Sequence, residues 1–93
     1  MPPPTLDRPR LHVDFNEMIA EDLVLLSRDD SKQDSSGARV HFTEGMRVFL
    51  SMQDVDESGA PRHLLATGIV ERNDAADWSS PVRWRCRIDR WNA

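Results

Sequence analysis

The chain is poor in several things that would each announce a class of protein. It has one cysteine, Cys86, in 93 residues. No disulfide can form within it, and a disulfide-stapled miniprotein is excluded. No stretch comes near the about eighteen consecutive apolar residues of a membrane-spanning helix. The four glycines, Gly37, Gly45, Gly59 and Gly68, are scattered singly, which excludes a glycine-rich phosphate loop and a dinucleotide fingerprint. The opening Met-Pro-Pro-Pro-Thr has neither a basic region nor an apolar core, so no signal peptide is expected. A lone cysteine fits a reducing compartment, and the cytoplasm is the expected location. The length suits one domain and excludes a multidomain enzyme.

Charge is plentiful but unevenly placed. Sixteen acidic against twelve basic residues give a formal −4. Residues 1–45 hold nine acidic and five basic residues, whereas residues 46–93 hold seven of each. Eleven of the basic residues are Arg, and Lys32 is the only Lys. The overall acidity argues against generic DNA binding, which needs clustered cations. The dominance of Arg still permits bidentate or stacked contacts.

Residues 1–10 read as a flexible Pro-rich leader, because Pro2, Pro3, Pro4 and Pro9 each fix φ and remove a donor. The domain is expected over residues 11–93. Leu11, Val13 and Phe15 alternate with polar residues, as in a half-buried strand. Asn16 to Asp22 fits either one helical turn, capped by Asn16, or a strand. Leu23-Val24-Leu25-Leu26 is a short apolar run. Residues 27–37 are polar and without periodicity, and read as an exposed, mobile loop. Arg39–Phe42 is a short strand. Met46, Val48, Leu50 and Met52 then alternate with Arg47, Phe49, Ser51 and Gln53, and residues 63–72 resume after a tight connection at 54–62. These two segments are expected to pair as an antiparallel hairpin. Gly68, inside the second, marks a bulge, a bend or a close approach of another backbone. After a loop at 73–81 the last strand runs from Val82 to Ile88, with Trp84, Cys86 and Ile88 on one face. No internal repeat is visible.

Five to six short strands with at most one helical turn point to an all-β fold. The expectation is a small antiparallel β-barrel, SH3-like or OB-like, since so few strands cannot build two sheets with protected edges. The expected inward set is Leu11, Val13, Phe15, Leu23, Leu25, Val40, Phe42 and Met46 from the first half. Val48, Leu50, Leu64, Ala66, Val70, Trp84, Cys86 and Ile88 complete it. Phe49, Leu65, Ile69, Trp78 and Trp91 are left over, to pack under loops or to form an interface.

Three groups of residues invite a chemical reading. Asp54-Val55-Asp56-Glu57-Ser58-Gly59 opens like a calcium loop, but the twelfth position is Leu65 where a bidentate Glu is required, so a plain hairpin loop is expected. Arg83, Arg85 and Arg87 share one strand face at roughly 7 Å spacing. With Trp78 and Trp91 they form the candidate binding face, able in principle to meet phosphates and stack bases. Cross-strand carboxylates such as Glu71 are expected to occupy these arginines instead. Cys86 with His12, His41 or His63 is the third group. Its place beside Trp84 and Ile88 reads as core, where thiols are inert, and the His and Cys spacings match no zinc pattern. No catalytic residue, cofactor or metal is therefore assigned. The expected function is a non-catalytic protein-interaction or regulatory module, with a protein partner or self-association as a homodimer and no membrane. The alternative is a single-stranded nucleic-acid binder using the Arg face.

Overall fold

Alternating apolar residues in segments 47–55 and 61–72, with Val48, Leu50, Ala66 and Val70 buried on one face, build the spine of the domain. The computed structural model describes residues 6–92 and contains eight strands. They are β1 (Leu11–His12), β2 (Met18–Ala20), β3 (Leu23–Ser27), β4 (Ser31–Gln33), β5 (Arg39–His41), β6 (Arg47–Val55), β7 (Pro61–Arg72) and β8 (Trp84–Trp91). Six of them form a sheet in the order β1-β6-β7-β8-β3-β2, curled into a half-barrel, and β4 and β5 form a separate hairpin. The all-β reading holds. Among the described residues there is no helix, and Met18–Ala20 is a strand rather than part of a helical turn. One pairing, β1 with β6, is parallel. Residues 1–5 of the expected leader lie outside the described residues. Its last residue, Arg10, is folded into the domain with 1% exposure.

The β6–β7 hairpin pairs Arg47 with Ile69 through to Val55 with Pro61 without a break. Its turn is made by Asp56-Glu57-Ser58-Gly59-Ala60. The Asp56 carboxylate accepts hydrogen bonds from the Ser58 amide (2.9 Å), the Ser58 hydroxyl (2.6 Å) and the Ala60 amide (2.9 Å). Gly59 takes φ +83°, a conformation that disfavours any residue with a Cβ. The same arrangement closes the β4–β5 hairpin with Asp34-Ser35-Ser36-Gly37-Ala38. Asp34 accepts from the Ser36 amide and hydroxyl and from the Ala38 amide. So a five-residue unit, Asp-Xaa-Ser-Gly-Ala, does recur in the sequence, and each copy is a turn. The expected loop at 27–37 therefore contains a strand, β4. Hydroxyl and amide donors stabilise the charged form of both carboxylates and hold them below the usual carboxylate range.

The inner face of the sheet carries Val48 and Leu50 of β6, Ala66 and Val70 of β7, and Trp84, Cys86 and Ile88 of β8, all buried. Leu11, Val13 and Phe42 complete the same cluster. Removing each such aliphatic side chain from water stabilises the fold by about 1.5–3 kcal/mol. From the apolar run it is Val24 and Leu26 that enter this cluster, not the expected Leu23 and Leu25. Leu23 and Leu25 pair with Arg87 and Arg85 and lie on the opposite face, where they are also buried. Leu64, also expected inside, is only half-buried. Gly68 marks both a bulge and a close approach. The register shifts between Thr67 and Gly68, and a Cβ there would lie 2.5 Å from the Arg87 carbonyl oxygen.

The β4–β5 hairpin packs onto the half-barrel through Phe42, whose ring centroid is 6.0 Å from that of Trp84. The only lysine spans the curled sheet. The Lys32 ammonium donates to the carbonyls of His12, at β1, and Leu26, in β3. Burial pulls its pKa below the ordinary lysine value.

Candidate interaction surface

The expected binding face lies on the side of β8 turned away from the core, and β8 presents its residues there by simple alternation. Arg85 and Arg87 point to this outer face, with Arg83 just before the strand. Each guanidinium has a carboxylate partner. Arg85 Nε donates to Glu71 (3.1 Å), directly opposite on β7, and Arg87 Nε donates to the other oxygen of Glu71 (2.8 Å). Arg87 also reaches Asp22 (3.1 Å), and Arg83 reaches Asp30 (3.2 Å). Arg87 and then Arg85 hold the Glu71 carboxyl below its usual range, and the same contacts raise Arg87. The stripe is thus a charge-compensated network, and the Glu71 pairing is the one its place in the sequence suggested.

The two tryptophans assigned to this face go to different places. Trp91 follows the bulge and pairs with Ala66 of the inner face, and its ring sits 5.0 Å from that of Phe15. It does not share a face with Arg83, Arg85 and Arg87. Trp78 stands on the loop between β7 and β8 and is 65% exposed. That loop is tied down on both sides of it. The Asp77 carboxylate accepts from the Ser79 amide (2.9 Å) and hydroxyl (2.6 Å), and Ser79 is itself buried. The Asn73 side-chain amide donates to the carbonyls of Ser79 and Val82, both at 2.9 Å. An ordered loop therefore holds a large aromatic ring out in solvent. Reading the sequence from strand periodicity passed over Asn73 and Asp77. The signal was there, since Asp77-Trp78-Ser79 repeats the Asp-Xaa-Ser start of the two hairpin turns.

A second feature of the outer face is an open cleft of about 610 Å³ at the other end of β8, bounded by the N-terminal segment. Arg10 fixes that segment. Its guanidinium donates to both oxygens of Asp7 (2.8 and 3.0 Å) and to the carbonyl of Leu50 (3.0 Å). The Arg10 contact holds the Asp7 carboxyl at about 2.

The remaining candidates are dispersed over the fold. Cys86 is fully buried on the inner face, and burial pushes its thiol up to about 12. His63 pairs with Gln53 on the outer face, and His12 and His41 are exposed. Asp54 pairs with Arg62 (3.0 Å) and Asp56 caps its turn, so the calcium-like loop is a hairpin end. Among the described residues no three of His, Cys, Asp and Glu converge as metal ligands. Nor is any helix long and apolar enough to cross a membrane. Comparison of the chain with protein-family models, curated proteins and solved structures finds no match to any of them.

Proposed function

We propose that this chain is a non-catalytic interaction module of the cytoplasm that engages a protein partner, or a second copy of itself, through the loop carrying Trp78. The observation that carries this reading is an exposed tryptophan on a loop whose backbone is already hydrogen-bonded. Tryptophan is enriched among the residues that dominate interface energetics. An ordered loop lowers the entropy cost of docking it. The non-catalytic part of the reading is supported by Cys86, whose buried, protonated thiol is a poor nucleophile.

The alternative, single-stranded nucleic acid on the Arg face, draws support from the alternation of Arg83, Arg85 and Arg87. It requires phosphates to displace Glu71, Asp22 and Asp30 from charge-assisted bonds.

Photo-crosslinking from position 78 in cells tests the proposal, with position 55 as control because Val55 is also exposed. A protein captured from 78 and not from 55 is then purified and titrated against the wild type and Trp78→Ala. Loss of affinity in the variant is expected. An unchanged affinity overturns the proposal, and so does micromolar anisotropy binding of an oligonucleotide at physiological salt that weakens with salt as about −0.7 per phosphate.

A further inference from the structure

A local excess of positive charge lies beyond the Arg83–Arg87 stripe, further along the same strand. The bulge inserts one extra residue in β8, so that Arg90 pairs with Thr67 while Ile88 pairs with Gly68. Unbroken alternation from Ile88 would turn Arg90 inward and Trp91 outward. Instead Arg90 stands on the outer face, at the cleft bounded by the N-terminal segment.

Four guanidinium groups line that cleft, Arg8, Arg10, Arg47 and Arg90, against two carboxylates, Asp7 and Asp89. The lining therefore carries an excess of two positive charges in a chain whose formal total is −4. Both carboxylates are engaged. Asp7 is held by Arg10, and Asp89 accepts from the Thr67 hydroxyl (2.9 Å) and pairs with Arg47 (2.8 Å). Thr67 first, and then Arg47, keep Asp89 below the usual carboxylate range, so it stays ionised. Among the described residues Arg90 has no carboxylate partner. Arg8 lies 3.4 Å from Asp7 and stacks over the Phe49 ring at 4.4 Å. Phe49 and Leu65 give the cleft an apolar floor.

We infer that this cleft binds a small ligand bearing a dianionic phosphate on an apolar body. The phosphate would meet Arg90, Arg47 and Arg8, and the body would rest on Phe49 and Leu65. Three considerations select this chemistry. A dianion matches the local excess of two charges. Tetrahedral phosphate oxygens suit guanidinium groups arriving from three separate segments, whereas a planar carboxylate is best met by a single fork. The volume is that of a small-molecule site.

Calorimetric titration with phenyl phosphate tests this, with inorganic phosphate, phenol and dimethyl phosphate as comparisons. Phenyl phosphate is expected to saturate and to bind more tightly than inorganic phosphate, which lacks the body. It should also outbind dimethyl phosphate, which carries one charge, and phenol, which carries none. Affinity should rise from about pH 5 to about pH 7 as the second phosphate proton leaves near pH 6, because the arginines stay charged throughout. Arg90→Ala should weaken phenyl phosphate about tenfold or more without changing the thermal midpoint, since Arg90 is exposed and has no carboxylate partner among the described residues. Arg28→Ala, which removes another exposed arginine outside the cleft, should leave binding unchanged. Absence of saturable binding, or equal weakening by Arg28→Ala, overturns the inference. Equal affinity for inorganic and phenyl phosphate overturns the apolar body.

Discussion

Gly68→Ala probes the closest approach of two strands in the core. A Cβ at this position would lie 2.5 Å from the Arg87 carbonyl oxygen and 2.5 Å from Cys86 Sγ. Comfortable non-bonded contacts involving carbon lie at about 3.5–4.0 Å, so both are short by roughly 1 Å. Gly68 is not among the positive-φ glycines, so the cost comes from space and not from backbone conformation. The carbonyl belongs to the facing strand and cannot rotate away. Cys86 is fully buried, so its sulfur has little room to move. The two strands must therefore part where Val70 pairs with Cys86 and Gly68 with Ile88. Overpacking a core typically costs about 1–3 kcal/mol, and a backbone clash belongs at the upper end. The expected loss is about 3 kcal/mol, a fall in midpoint of about 12–24 °C for a domain of this size. Urea denaturation followed by tryptophan fluorescence and by circular dichroism measures it. Adding Cys86→Ala removes the sulfur but not the carbonyl, so the double variant should recover part of the loss, with a coupling of about 0.5–3 kcal/mol. A loss under about 1 kcal/mol for Gly68→Ala would refute the close approach of β7 and β8.

Trp84→Ala should cost about 3–5 kcal/mol, because Trp84 is buried against Phe42 and its indole donates to Asp30 at 3.0 Å. A small shift in urea midpoint would put the wrong face of β8 inside. Asp7, held by Arg10 at about 2 in the folded state against an ordinary 3.8, stabilises the fold above its unfolded value. That contribution is lost as the pH falls from about 4 towards 2. Asp7→Asn should flatten the pH dependence of the thermal midpoint in that window, and an unchanged profile would disprove the pairing. The Cys86 thiol, raised to about 12 by burial, should resist iodoacetamide at pH 8 in the native protein and react fully in urea. Rapid native alkylation would show the thiol to be exposed.

What the sequence reveals depends on how many faces a strand buries. β6, β7 and most of β8 put their buried apolar residues on one face, so their alternation is visible and their side chains can be assigned. β3 buries both, and the run Leu23–Leu26 has no parity to read. This is why Val24 and Leu26 exchange places with the expected Leu23 and Leu25. β4 is Ser31-Lys32-Gln33, with nothing apolar to alternate, and its hairpin is written in the turn residues. Trp91 changes face because of a bulge that no local pattern announces. In the arginine stripe, Glu71 is legible because it sits on the adjacent strand of the same meander. Asp22 and Asp30 are brought in from 65 and 53 residues away, a distance over which sequence spacing says nothing. Arg10 sits among prolines and charges at the chain start, and its burial depends on carbonyls of β6 and β7 that only the assembled sheet supplies.

The pairing of β3 with β8 also bears on how the protein is made. Val24 and Cys86, which face each other in the finished sheet, are 62 residues apart. At about 5–20 residues per second, synthesis leaves about 3–12 s between the two leaving the ribosome's catalytic centre. For much of that time the nascent chain carries Leu23-Val24-Leu25-Leu26, an apolar run of strand-forming length whose eventual neighbour on one side has not been made. Such a segment is open to pairing with other chains. The residues that follow it, Ser27-Arg28-Asp29-Asp30, are polar and mostly charged, and Glu21 and Asp22 precede it. Charges flanking an unavoidable apolar strand act as gatekeepers against aggregation. Asp22 and Asp30, which in the folded protein bind Arg87 and Arg83, thus have an earlier task. Flanking the run, they are expected to keep β3 soluble until the arginines that will neutralise them have been translated.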